Sequence, residues 1–188
     1  MRVIAGQYRS RVLQAPPGFD TRPTSDRLRE TLFNVLTPRI EGAIFLDLYA
    51  GSGAVGIEAL SRGAEQAIFV EKAEPALRAI RTNLAELGIK GNYSLEARNV
   101  SPALKRLNET AQHADLVFLD PPYALEKEYA TTLNQLGGEY RNLLAPEAIV
   151  IAEHEKRREL DPLYGILIRY RTLKQGDAAL SFYRAEPN

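Results

Sequence analysis

Apolar residues along this chain fall into two alternating patterns. Short unbroken runs at 44–49, 66–71, 93–97, 116–120 and 148–153 read as buried strands. Between them, apolar positions return every third or fourth residue, which predicts helices at 54–61, 75–87, 102–110 and 129–136. In the second of these, Leu77, Ile80, Leu84 and Leu87 share one face. The tail carries two further strands, 166–173 and 179–184, around the hairpin signal Lys174-Gln175-Gly176-Asp177. Ahead of the alternating part, 1–5 and 11–14 read as two short strands joined by Gly6-Gln7-Tyr8-Arg9, and Ala15-Pro16-Pro17-Gly18 reads as a loop. Thr24-Ser25-Asp26 then offers helix N-caps, and Leu28, Leu32, Val35 and Leu36 keep helical spacing until Pro38, where the helix is expected to stop.

Alternating strands and helices with wholly apolar strands predict an α/β fold: a mostly parallel, Rossmann-like sheet covered on both faces, closed by an antiparallel hairpin. The expected organisation is one domain over 1–188, with a basic hairpin-plus-helix extension at 1–39 and the Rossmann-like core at 40–188. Ligands of such sheets bind outside the carboxyl ends of the strands. Candidate chemistry should therefore gather there.

Composition narrows the classes. Of the 188 residues, 45% are hydrophobic and 26% charged, as in globular proteins. No apolar run nears the roughly 20 residues of a membrane span. The opening MRVIAGQYRSR lacks an apolar core of signal-peptide length. With no cysteine and only His113 and His154, disulfides and the usual zinc sites are not expected, and a reducing cytoplasm suits the chain. The net charge is zero, yet 1–39 holds Arg2, Arg9, Arg11, Arg22, Arg27, Arg29 and Arg39 and no lysine, against Asp20, Asp26 and Glu30. Arginine bridges phosphate oxygens with two N–H groups, so this bias suits an RNA backbone; a salt-bridged surface is the plainer alternative.

The first strand runs into Leu46-Asp47-Leu48-Tyr49-Ala50-Gly51-Ser52-Gly53-Ala54-Val55-Gly56, a G-x-G-x-x-G turn opening a helix. Glu71 ends the next strand, about 20 residues on, where an acid can bind both ribose hydroxyls. The turn alone fits NAD or S-adenosylmethionine. Asp47 discriminates, because a carboxylate opposes a pyrophosphate but suits an ammonium or a sulfonium. It could also be a buried residue capping loop amides. Asn99 stands where an adenine amine could be bound, or is a turn residue.

The fourth strand, Leu116-Val117-Phe118-Leu119, feeds into Asp120-Pro121-Pro122-Tyr123. Two prolines stiffen the corner and remove two backbone donors, leaving acceptor carbonyls beside an acid and an aromatic ring. An amino group on a nucleobase is a poor nucleophile because its lone pair is delocalised. Accepting its two hydrogens at Asp120 and the Pro121 carbonyl would pull the nitrogen toward tetrahedral geometry, and Tyr123 would stack on an extruded base. No metal is needed.

D/N-P-P-Y/F after a fourth strand resembles the signature of amino-methyltransferases. More specifically, the chain is similar to the RsmD-type small-subunit rRNA guanine-N2 methyltransferases. The likeness runs through MRVIAGQYRSRVL, Arg22-Pro23-Thr24 into Asp26–Asn34, LDLYAGSGAVGIEALSRGA, Phe69-Val70-Glu71, LVFLDPPY and the tail from Gly176 to Tyr183. The resemblance implies a class I methyltransferase fold and methylation, from S-adenosylmethionine, of N2 of a loop guanine of 16S rRNA, customarily numbered 966. The product would be S-adenosylhomocysteine, and the partner an assembled or assembling small subunit; a monomer is expected. It implies Asp47, Tyr49, Gly51, Ser52, Gly53, Glu71 and Asn99 for the cofactor, and Asp120, Pro121, Pro122 and Tyr123 for the guanine. Arg9, Arg11, Arg22, Thr24 and Arg27 would border the RNA, although Arg27 with Glu30 could equally be a salt-bridged helix face. Asn99 departs from the acid common at that position in methyltransferases at large.

Three other readings remain open. A DNA or RNA adenine-N6 methyltransferase is one; on DNA it would call for a separate base-reading domain, and the chain is too short to hold an obvious one. An NAD-dependent oxidoreductase leaves the diproline corner unexplained, and an idle RNA-binding scaffold leaves Asp120 without a role.

Overall fold

The computed structural model describes residues 1–16, 24–122 and 125–185. Five strands run parallel in the order β3 (Tyr93–Ala97), β2 (Gln66–Glu71), β1 (Ile44–Leu48), β4 (Ala114–Leu119), β5 (Leu144–Glu155). The sheet continues antiparallel through β8 (Ala178–Ala185), β7 (Leu167–Gln175) and the two-residue β6 (Leu163–Tyr164). The expected α/β architecture with an antiparallel C-terminal edge is what the chain adopts.

Side chains alternate across each strand, so neighbouring residues serve opposite cores. On one face, Leu46, Leu48, Val117, Leu119, Val150 and Ala152 pack under α4 (Val100–Glu109) and α5 (Glu126–Gly137). On the other, Phe45, Leu116, Phe118, Ile149 and Ile151 pack under α1 (Asp26–Ile40) and α2 (Ala54–Ser61). Ala67 and Phe69 meet α2 and α3 (Glu74–Glu86) on that same side. α1 thus contributes Leu28, Leu32, Phe33 and Leu36 to the main core rather than standing apart as an appendage.

Several boundaries differ from those expected. Pro38 lies inside α1, which runs two residues further to Ile40. The two expected N-terminal strands reduce to one antiparallel bridge, Arg2 with Val12, flanked by Val3 N–H to Arg11 O and Leu13 N–H to Met1 O. The reason is competition for donors: the Ile4 and Ala5 amides bond the Glu58 carboxylate of α2 instead of a strand partner. Glu58 is fully buried, also accepts from Arg62 Nε at 2.7 Å, and lies 3.8 Å from Arg29 Nε. Arg29, counted among the basic residues, is itself fully buried, and its guanidinium bonds Asp26 and the Arg2 carbonyl. This network pins the N-terminal segment onto α1 and α2. No helix among the described residues is long and apolar enough to cross a membrane.

Candidate active site

The strand order reverses between β1 and β4, and there the two sequence motifs meet. Leu48 pairs with Leu119, so the glycine turn leaving β1 and the diproline corner leaving β4 emerge side by side. Both line one cavity of about 900 Å³ at the carboxyl ends of the strands, within the range of small-molecule sites. Asp47, Tyr49, Gly51, Ser52, Glu71, Asn99, Asp120, Pro121 and Pro122 all line it. Thr24 joins them, with Met1 and Pro16, so the N-terminal segment forms a wall of the cavity.

The turn is built to bring backbone close. Gly53, the N-cap of α2, has φ +77°, which an L side chain rarely adopts. A Cβ on Gly56 would sit 2.4 Å from the Phe69 ring, so only glycine lets α2 lie this near β2. Glu71 ties the turn down: Oε2 accepts from the Gly51 amide at 2.9 Å, and Oε1 from the Lys72 and Ala73 amides at 2.7 and 2.8 Å. A carboxylate has about four acceptor positions, so capacity for a hydroxyl remains. Tyr49 holds φ +62° and its hydroxyl bonds Glu128 and Thr132 of α5, each at 2.8 Å, linking the turn to the helix after the diproline corner. Asn99 is the N-cap residue of α4, yet its exposed side chain makes no capping bond, and the residue lines the cavity.

Carboxylates crowd the deep end. Asp47 is buried and its Oδ2 accepts the Gly56 amide at 2.9 Å. Burial pushes its carboxyl up to about 7; the amide opposes this, and the charge of Glu71 adds to it. Phe118 pairs with Asp47 and Ile151 with Phe118, so two residues further on Asp120 and Glu153 share one face of adjacent strands. Asp120 is driven well above the usual carboxylate range by burial, then by the negative charges of Glu153 and Asp47. Glu153 is raised to about 7 by burial, against which the Thr24 hydroxyl, donating to Oε2 at 2.6 Å, works. From α5, the Tyr129 hydroxyl donates to the Glu153 carbonyl at 3.0 Å and reaches the Pro121 carbonyl at 3.5 Å, fixing the corner.

The remaining expected residues are spread differently. Tyr123 and Arg22 lie outside the described residues. Gly53 sits behind the turn, against Ile80 and Phe69. Arg9, Arg11 and Arg27 are all exposed, and Arg11 also donates to the Glu86 carbonyl at the end of α3. Among the described residues no group of acids and histidines could hold a metal ion. Glu153, Tyr129 and Glu128 were absent from the sequence expectations. Glu153 ended an expected strand, and nothing local marked its neighbour.

Comparison with known proteins agrees with this geometry. The family model described as conserved hypothetical protein 95 matches residues 1–184. Ribosomal RNA small subunit methyltransferase D of Escherichia coli K12 is 38% identical over 188 residues, covering 99% of this chain and 90% of that protein. The Haemophilus influenzae protein of the same name is 35% identical, covering 85% of this chain and 81% of its own. The solved structure of the E. coli protein yhhF superposes with a TM-score of 0.83 at 36% identity, covering 100% of this chain and 99% of that one. A T. thermophilus 16S rRNA N2 G1207 methyltransferase, solved with AdoMet and guanosine, shares the fold alone: TM-score 0.70, 20% identity, 90% of this chain and 46% of that one. The sheet is therefore the class I methyltransferase fold, and the chain belongs to the conserved hypothetical protein 95 family, the RsmD-type methyltransferases.

Proposed function

We propose that this protein transfers a methyl group from S-adenosylmethionine to the exocyclic N2 of a guanine in 16S rRNA of the small ribosomal subunit. The observation that carries this reading is the shared cavity: the glycine turn and the Asp120-Pro121 corner open into it together. Relatives above 30% identical, the E. coli and H. influenzae proteins among them, bear the name ribosomal RNA small subunit methyltransferase D, which supports rRNA as the substrate class. The choice of guanine N2, and of the loop position customarily numbered 966, rests on the motif resemblance.

The residues present fit the cofactor. Buried Asp47 and the raised Asp120 leave the deep end short of positive charge, which a sulfonium and an ammonium would supply. Gly51 and Ser52 would border the cofactor with their backbone, Glu71 would take its ribose hydroxyls, Asn99 its adenine amine, and Tyr49 would hold the turn in place. When bound, S-adenosylmethionine supplies an electrophilic methyl carbon.

The chain's own residues would do the rest. Asp120 and the Pro121 carbonyl would accept the two amine hydrogens, directing the nitrogen lone pair toward that carbon. The Tyr129 hydroxyl keeps the corner from drifting. Pro122 would border the base and Tyr123 would stack on it. The methyl carbon and the leaving sulfide would both be supplied by bound S-adenosylmethionine, while Asp120 would take the proton that the nitrogen must shed. Thr24, Arg9, Arg11, Arg22 and Arg27 belong to the segment that would face the RNA.

The test is mass mapping of methylated guanines in 16S rRNA from a strain lacking this gene, complemented with the native chain or Asp120→Ala. One N2-methylguanine should vanish on deletion and return only with the native chain. An unchanged guanine map after deletion would end this reading.

A further inference from the structure

Glu153 lies outside the cavity lining, yet it is buried directly beside the carboxylate assigned to the amine. Its place follows from register: Leu119 pairs with Ala152, so the next residues, Asp120 and Glu153, lie side by side on parallel strands. Two carboxylates so placed cannot both ionise freely at low dielectric. Resting on the functional reading above, we propose that Glu153 is a positioning residue for the reaction: with Thr24 holding it, its carboxylate governs when Asp120 is free to receive the amine hydrogens and the released proton.

The surroundings decide which acid ionises first. The Thr24 hydroxyl donates to Glu153 at 2.6 Å and supports negative charge there. Among the described residues, the charged groups acting on Asp120 are Glu153 from β5 and Asp47 from β1, both negative. Asp47 in turn feels Glu71 from β2. From β8 the register partner of Glu153 is apolar Leu180; from α5 the Tyr129 hydroxyl donates to the Glu153 backbone carbonyl, and the Arg158 guanidinium lies over the Tyr129 ring, 5.1 Å from its centroid. The first negative charge therefore settles on Glu153, and the proton stays on Asp120. Positive charge entering the cavity favours release of that proton, so Asp120 becomes an acceptor once the site is loaded. Neither step needs a further reactant: the proton leaves Asp120 through the cavity to solvent water before the amine docks, and one proton returns to it from the methylated nitrogen.

Glu153→Gln tests this. It is isosteric and still accepts the Thr24 bond, but never carries charge. The acid limb of the kcat–pH profile should move down by at least about one pH unit, as removal of a neighbouring carboxylate does, raising the rate in that limb about tenfold relative to each protein's own plateau. Glu153→Asp, which keeps the charge, should leave the limb where the native protein has it. Thr24→Val withdraws support from the Glu153 charge and should shift the limb in the same direction, by less; it serves if Glu153→Gln does not fold. Carboxyl-carbon NMR of the ligand-free protein should show Asp120 titrating at lower pH in Glu153→Gln. A limb and an Asp120 titration both unmoved by Glu153→Gln would overturn the proposal, whatever happens to kcat. Absence of methyl transfer by the native protein would overturn the functional reading instead, and the NMR titration would then decide the pairing by itself.

Discussion

Replacing Asp47 with asparagine separates the charge of that side chain from its hydrogen bond. The carboxylate is buried and accepts the Gly56 amide; an asparagine Oδ1 can accept the same bond but cannot ionise. Burial lifts the carboxyl from its ordinary 3.8 to about 7. Three units at about 1.4 kcal/mol each amount to at most about 4 kcal/mol of destabilisation when Asp47 is fully ionised. The sign follows from linkage. The folded state holds this proton more tightly than the unfolded chain, so the penalty is small near pH 4, grows as pH rises toward 7, and is constant above that. The asparagine escapes the penalty but brings an amide NH₂ whose burial without a partner costs about 1–3 kcal/mol at every pH. The diagnostic is thus not which protein is more stable but how the difference changes. Between pH 5 and pH 8 it should move in favour of Asp47→Asn by up to about 3 kcal/mol. In a domain of this size that is up to roughly 6–12 °C in Tm. Urea unfolding of both ligand-free proteins at the two pH values measures it. A difference that stays constant across pH would refute the assignment of a neutral, buried Asp47 below pH 7.

The same titration predicts that S-adenosylmethionine binding weakens below pH 7, by up to about tenfold per pH unit, because a cation must displace the Asp47 proton. Calorimetry should show the dependence, and Asp47→Asn should bind more weakly and lose the share of it that Asp47 carries. Asp120→Ala should abolish methyl transfer while leaving cofactor affinity within a few fold; undiminished turnover would remove its role. Glu58→Gln should destabilise the fold by up to about 3–5 kcal/mol in urea, since buried Arg29 would keep only the half-exposed Asp26 as its charge partner. A loss under about 1 kcal/mol would show the network to be dispensable. Tyr49→Phe should cost about 1 kcal/mol by freeing Glu128 and Thr132, read in the same assay; no loss would mean that solvent replaces the hydroxyl at no cost.

What could be read from the chain were features whose cause is local. The apolar runs announced the strands because a strand buried on both faces needs apolar residues in succession. Gly51, Gly53 and Gly56 announced the turn, since φ +77° at Gly53 and the close approach of Phe69 to Gly56 exclude a side chain. Pro121 and Pro122 announced the end of β4 because they cannot donate to a ladder. Where a distant partner decided the outcome, local reading fell short. Pro38 sits in the last turn of α1 without ending it. Arg29 looked like surface charge, and its burial depends on Glu58, 29 positions away.

The amino-acid sequence by itself thus determined the α/β alternation, the glycine turn and the acid–diproline corner, each written in backbone conformations that neighbouring residues impose. Only the tertiary structure decided that these motifs share one cavity. That follows from strand order: β4 lies beside β1 although two strands intervene in the chain, and β5 lies beside β4. The same adjacency sets Glu153 next to Asp120, and packing of the N-terminal segment brings the Thr24 hydroxyl to Glu153. Electrostatic coupling depends on distance through low-dielectric space, not on separation along the chain. The protonation of the site was therefore a property of the folded sheet alone.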